Sequence, residues 1–160
     1  MQLCIKQYET LNPSLNAIVE TNFEDAIKCS YDIDRVSNKA SNKLPFLPLP
    51  VGVKDLNDVR GLKTTYGSLL FQDNLASSDD DVVAQLRTAS AIIFGKTNVP
   101  EHGFGATTTN PLQGSTGNPF DSNLSAGAST GGGASAVASG IVPLATGSEC
   151  GDAFTATTPS

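Results

Sequence analysis

Three positions in this chain pair side-chain type with spacing in a way that could do chemistry: Lys54, Ser129 and residue 153. Lys54 closes the apolar run Val51, Gly52, Val53. Burial disfavours the charged form of a lysine, so an amine desolvated at a strand end becomes a proton acceptor. Ser129 lies in a run of Gly, Ala, Ser and Thr at residues 125–135. The glycines Gly131 to Gly133 lead into ASAVA, which reads as a loop entering a tightly packed helix. Such a turn offers backbone N–H groups and the positive end of the helix to an anion, and a serine held there can relay protons. A second glycine turn, GSECGDA at residues 147–153, presents further N–H groups that can stabilise a developing oxyanion, each contributing roughly 3–4 kcal/mol. A lysine, a serine in a glycine loop and a third residue on a second glycine turn are the skeleton of a hydrolytic site. Here the third residue is Ala153, which carries no nucleophile.

Plainer readings stand beside each of these. Lys54 could be a solvated lysine at a strand end, residues 125–135 a flexible linker, and residues 147–153 a simple strand-to-helix turn. The apolar segments flanking residues 125–135 speak against a linker. Two rival motifs fit poorly. Gly95-Lys96-Thr97 has the ending of a phosphate loop, but the first glycine of that motif is replaced by Ser90 and the residues between are apolar strand, so Lys96 reads as a structural residue at a strand end. The one histidine, His102, would have to serve any Ser/His/Asp triad, yet no G-x-S-x-G elbow accompanies it, and it reads as a surface or loop residue.

The elements that must position these residues alternate between strand and helix, which predicts an α/β fold with a mixed sheet covered by helices. Residues 1–11 read as a helix stopped at Asn12-Pro13, and residues 16–20 as a short strand. A helix capped by Thr21 or Asn22 runs to about Ala40, with Phe23, Ala26, Ile27, Ile33 and Val36 on its buried face. A proline-rich connector at 42–50 leads to a strand at 51–56, then a loop at 61–67. Ser77 or Ser78 is the expected cap of a helix reaching Arg87, with Asp79, Asp80 and Asp81 at its start. The all-apolar run Ala91 to Phe94 predicts a strand covered on both faces. A small-residue helix at 131–139 and a strand at 142–146 follow, and the end at Ser160 leaves the expected sheet cut short.

Composition narrows the function classes. The 160 residues are 39% hydrophobic, which suits one globular domain or part of one. A net charge of −6 and scattered basic residues argue against nucleic-acid binding. Cys4, Cys29 and Cys150 are widely spaced with no metal-site pattern, so neither a metal nor a cofactor is expected and a reducing, cytoplasmic setting is. The N-terminal residues lack the apolar core of a signal peptide, and no apolar run approaches the roughly 18–20 residues of a membrane span.

Taken together, residues 49–55 (LPVGVKD), 61–68 (GLKTTYGS), 82–86 (VVAQL), 93–101 (IFGKTNVPE), 117–121 (GNPFD), 127–140 and 143–147 (PLATG) resemble the amidase signature family of serine hydrolases. The resemblance implies that residues 1–160 are the N-terminal part of one such domain, whose substrate would be a small-molecule amide. The family hydrolyses carboxamide C–N bonds, with some members acting on esters, ureas or glutamine, through a Ser–Ser–Lys triad. Carried over by position, Lys54 is implied as general base and Ser129 as the bridging serine, in a cis peptide. The nucleophile position falls on Ala153, and the backbone amides of Cys150, Gly151, Asp152 and Ala153 occupy the oxyanion-hole position. The departures bear on function. Ala153 has no hydroxyl, and loss of a catalytic nucleophile lowers turnover by about 10⁶-fold. Asp152 replaces a glycine and sets a carboxylate beside the oxyanion, Thr155 replaces an arginine, and Ala128 and Thr130 replace Gly and Ser beside the bridge. The chain is therefore expected to be catalytically silent. The alternative is a non-catalytic, amidase-like remnant that binds amides or a partner protein. An engineered nucleophile knockout would carry a lone Ser→Ala change, which Asp152 and Thr155 disfavour.

Overall fold

The computed structural model describes residues 1–37 and 48–148. Helix α1 (Gln2–Leu15) runs through Pro13 instead of stopping before it. Pro13 has no N–H to give the carbonyl four residues back, so the helix forgoes that one bond near its end. Asn16 ends the helix in the left-handed region (φ 50) and donates its N–H to the Asn12 carbonyl at 2.7 Å. The Asn12 side chain completes the reversal. Its Nδ2 donates to the Ile18 carbonyl (2.8 Å), and its Oδ1 accepts from the N–H groups of Ala17 (3.0 Å) and Ile18 (2.8 Å).

Strand β1 (Ile18–Thr21) leads to helix α2 (Phe23–Ser37). Asn22 is its cap, accepting from the Asp25 N–H (3.2 Å) and donating to the Asp25 carboxylate (2.7 Å). On its inner face Ala26 is buried and Phe23, Ile27 and Ile33 are half-buried; the expected end near Ala40 lies outside the described residues. Strand β2 (Pro50–Lys54), helix α3 (Asp81–Thr88) and strand β3 (Ile92–Thr97) follow. The cap of α3 is Asp80, not Ser77 or Ser78, and its side chain makes no capping bond. The acids face the preceding loop instead: Asp79 accepts from the Arg60 N–H (2.8 Å) and Asp80 from the Asp58 N–H (3.0 Å). Two short hairpins, β4 (Thr109–Asn110) with β5 (Gly114–Ser115) and β6 (Gly117–Asn118) with β7 (Asp121–Ser125), precede helix α4 (Gly131–Ala138) and strand β8 (Leu144–Ala145).

The main sheet has the order β1-β3-β2-β8. β2 is parallel to both β3 and β8, and β1 is antiparallel to β3, so the sheet is mixed. Every residue of β2 and β3 is buried, as strands covered on both faces must be. On one face Phe94 packs with Ile18, Ala136, Ile141 and Val142; on the other Val53 and Ile93 pack with Val59, Leu62 and Val83. Full burial of a side chain such as Phe94 or Ile93 contributes about 1.5–3 kcal/mol. β8 is shorter than the expected strand at 142–146 because Val142 turns inward, its N–H bonded to the Ala136 carbonyl at the end of α4.

The small residues of α4 follow from its depth. A Cβ on Gly132 would meet the backbone N and O of Asn98, and the Ala17 carbonyl oxygen at 2.9 Å. The helix thus lies directly on the chain leaving β3, and its N-terminus is carried to the end of β2, where Lys54 stands.

Candidate active site

Lys54 is fixed first through its backbone. It is the last residue of β2, paired in register with Thr97 of β3, and its N–H donates to Thr146 Oγ1 at 2.9 Å. The side chain is almost wholly withdrawn from water, with 1% of its surface exposed. Its Nζ donates to Ser129 Oγ (2.9 Å), to Thr130 Oγ1 (2.9 Å) and to the Ser148 carbonyl (2.6 Å), and lies 3.2 Å from Ser148 Oγ. The two residues picked out by the glycine-loop pattern are therefore brought together, 75 positions apart in the chain.

Ser129 is buried and donates to the Ser148 carbonyl at 3.2 Å, and Thr130 donates to the same oxygen at 3.1 Å. That carbonyl is the hub on which the amine and both hydroxyls converge. The turn holding Ser129 is clamped from behind by Thr108. Thr108 Oγ1 donates to the Ala128 carbonyl (2.6 Å), reaches the Gly127 carbonyl (3.2 Å) and accepts from the Gly131 N–H (3.0 Å). The resemblance implies a cis peptide at Ser129, but the peptide bonds of the described residues are trans. Here the turn is made by Ala128, which sits in the left-handed region at φ 48. That conformation costs a non-glycine residue about 1–2 kcal/mol.

Asp55, next along β2, points to the opposite face of the sheet, as alternation requires. It meets Lys96, which is not at a solvated strand end but fully buried within β3. The carboxylate and ammonium are 2.7 Å apart with 2% and 0% side-chain exposure. Lys96 Nζ also donates to Thr64 Oγ1 (2.8 Å) and the Lys63 carbonyl (3.3 Å), while the second Asp55 oxygen accepts from Thr65 Oγ1 (2.6 Å) and the Thr65 N–H (3.1 Å). Burial pushes Lys96 below its ordinary value, and the Asp55 charge opposes that shift. This unit ties the loop at 61–67 to the strand that carries Lys54.

Gly95, which gave the phosphate-loop appearance, is required by packing, because a Cβ there would strike the Glu20 carbonyl oxygen. His102 is exposed in a short turn (Glu101–Gly103) with its ring edge-on to Phe71, and takes no part in the site. Cys150, Gly151, Asp152 and Ala153 lie outside the described residues. Among the described residues no three His, Cys, Asp or Glu side chains gather where they could hold a metal ion, and no helix is long and apolar enough to cross a membrane.

Pattern reasoning missed Thr108, the Ser148 carbonyl and the Asp55–Lys96 pair. The pair did leave a trace: a lysine inside the apolar run at 92–97 and an acid beside Lys54 each demand a buried partner.

The chain as a whole has clear relatives among known proteins. The family model described as Amidase matches residues 1–153. An acylamidase of Rhodococcus erythropolis is 40% identical over 145 residues, which cover 91% of this chain and 30% of that protein. Among solved structures, an inhibitor-bound vestigial complex that bears on the origins of an s-triazine catabolic enzyme superposes with a TM-score of 0.87 at 32% identity, covering 91% of this chain and 32% of the other. A bacterial aryl acylamidase of the amidase signature family gives a TM-score of 0.83 at 30% identity, covering 90% and 30%. The chain thus spans about 30% of the length of the relatives it matches.

Proposed function

The chain belongs to the amidase family, and from that membership we propose that its site is built for hydrolysis of carboxamide C–N bonds in small molecules, with Lys54 as base and Ser129 as the bridging hydroxyl. The observation that carries this reading is the buried 2.9 Å contact between Lys54 Nζ and Ser129 Oγ. A proton can pass along it from the serine to the amine, leaving Ser129 Oγ able to take a proton from a nucleophile on its other side. Position 153 is where that nucleophile belongs, with the backbone amides of residues 150–153 as the oxyanion hole. The substrate class is suggested by relatives named acylamidase, indoleacetamide hydrolase and aryl acylamidase.

With alanine at 153 the relay ends on a methyl group. The chain therefore turns over no amide, a loss of about 10⁶-fold relative to an intact triad. Asp152 adds to this by opposing negative charge on the substrate oxygen. The scattered cysteines favour a cytoplasmic setting.

The test compares the chain with a repaired variant, Asp152→Gly/Ala153→Ser/Thr155→Arg, using an aryl amide and a fluorophosphonate. The original chain is expected to release no arylamine above a Lys54→Ala control. The folded repaired variant is expected to be phosphonylated at position 153, with the reaction lost on adding Ser129→Ala. Arylamine release by the original chain, or a folded repaired variant left unmodified at 153, would overturn the reading.

A further inference from the structure

We propose that Ser148 is a second nucleophile, and that Lys54 and Ser148 form a Ser–Lys pair able to take an acyl or phosphonyl group from a donor whose leaving group departs as an anion. This goes beyond the amidase reading and shares with it only the role of Lys54 as base.

Among the described residues three hydroxyls lie within hydrogen-bond distance of Lys54 Nζ, and they differ in access. Ser129 is buried with 6% exposure, Thr130 is half-buried and carries a secondary hydroxyl, and Ser148 is exposed and carries a primary one. Lys54 Nζ donates to Ser148 Oγ at 3.2 Å, and once the amine is neutral the same contact is at the edge of general-base reach. Its backbone is held two residues before it and at its own carbonyl. The Thr146 N–H donates to the Gly52 carbonyl (2.8 Å), anchoring the chain to β2, and the Ser148 carbonyl accepts from Lys54, Ser129 and Thr130. The residue is thus fixed where its side chain can face both the amine and solvent. An amine that also holds the carbonyl of the same residue keeps the nucleophile in register through the reaction, an orientation effect of the kind that raises effective molarity.

In the step, Ser148 Oγ attacks the carbonyl carbon or phosphorus. The hydroxyl proton passes to neutral Lys54 Nζ, the new O–C or O–P bond forms, and the bond to the leaving group breaks with its electron pair leaving as aryloxide or fluoride. No proton need be supplied to the leaving group, which selects activated esters and fluorophosphonates over amides.

The test treats the full chain with an alkyl fluorophosphonate at known concentration, following intact mass over time and mapping the adduct by peptide sequencing. One adduct is expected, on Ser148, and absent from Ser148→Ala, an exposed change that leaves the core intact. Its rate is expected to fall about a hundredfold in Lys54→Met. Should Lys54→Met fail to fold, Lys54→Gln, which keeps a donor for the Ser148 carbonyl but has no basic amine, decides the matter by the same rate measurement. No adduct on Ser148, or an undiminished rate in whichever Lys54 variant folds, overturns the proposal. Absence of this adduct leaves the amide reading standing, because that reading is tested by modification at position 153 of the repaired chain.

Discussion

Asp55→Asn isolates the charge in the network behind Lys54. The change is nearly isosteric, so it alters charge and donor pattern without opening a cavity. Both partners are buried, with 0% and 2% side-chain exposure, and removal of one partner of a buried pair costs about 3–5 kcal/mol. The amide also cannot satisfy both sides of the network. With its oxygen toward Lys96, its NH₂ faces the Thr65 N–H that the carboxylate now accepts at 3.1 Å, adding about 1–3 kcal/mol for an unpaired donor. The total, at least about 4 kcal/mol, is a large share of the roughly 5–15 kcal/mol that holds a domain together. In urea, at a slope of about 2 kcal/mol/M, it moves the midpoint down by about 2 M. The penalty also has a predicted pH dependence. Burial already lowers Lys96 from 10.5, and Asp55 is the chief influence raising it, so the variant's lysine falls further. Between the folded value and 10.5 the unfolded chain binds the extra proton, so stability rises with pH across that window. The Asp55→Asn deficit is therefore expected to shrink as pH is raised toward 10.5, when the amine folds neutral. Lys96→Met in the same background is expected to recover about 2 kcal/mol, since a neutral pair needs no counter-charge. A deficit below about 1 kcal/mol, or one that stays constant or grows with rising pH, would refute the account of the pair as a buried charge couple.

Four further outcomes are expected. Gly132→Ala drives a methyl into the Asn98 backbone and is expected to cost about 3 kcal/mol or more, seen as loss of cooperative melting. Ala128→Gly relieves the φ of 48 and is expected to stabilise by about 1 kcal/mol in the same melt; a loss of stability there would mean that the left-handed turn is not formed. Thr108→Val strands the Ala128 carbonyl and the Gly131 N–H at a cost of about 2–3 kcal/mol, whereas Thr108→Ser retains both bonds and most of the stability. Burial raises the Cys29 thiol above 9.0, with Arg87 opposing, so its alkylation rate is expected to reach its half-maximum above pH 9.0; the same shift withdraws stability as pH climbs from 9.0 through the folded value.

The parts of the fold that were legible in the sequence are those decided locally. An all-apolar run at 91–94 suits a strand covered on both faces, and β3 is buried throughout. Thr21 or Asn22 ahead of an acidic first turn predicts a cap there, and α2 uses Asn22. Where distant groups decide, local signals misled. Pro13 ordinarily breaks a helix, but the bonds from Asn12 to Ala17 and Ile18 make a continued turn more favourable than a break. Ser77 and Ser78 look like caps, but the loop at 57–60 takes the carboxylates of Asp79 and Asp80 and moves the helix start to Asp81.

The candidate site divides along the same line. Lys54 and Ser129 were legible because each lies in a distinctive segment, a strand ending in lysine and a glycine loop opening a helix. What holds them was not, because the Thr108 clamp, the Ser148 carbonyl and the Asp55–Lys96 pair join residues far apart in sequence with no common motif. Ala128 connects the two levels. Sequence comparison by motif marks it as alanine where glycine is expected, and the backbone there is left-handed, the one conformation in which that change is felt. The cost of about 1–2 kcal/mol is borne because the turn is over-determined by Thr108 and by the Ala128 N–H bond to Ala106. A site that keeps its lysine buried and its serine clamped despite that strain owes its geometry to packing and hydrogen bonds set by β2, β3 and α4.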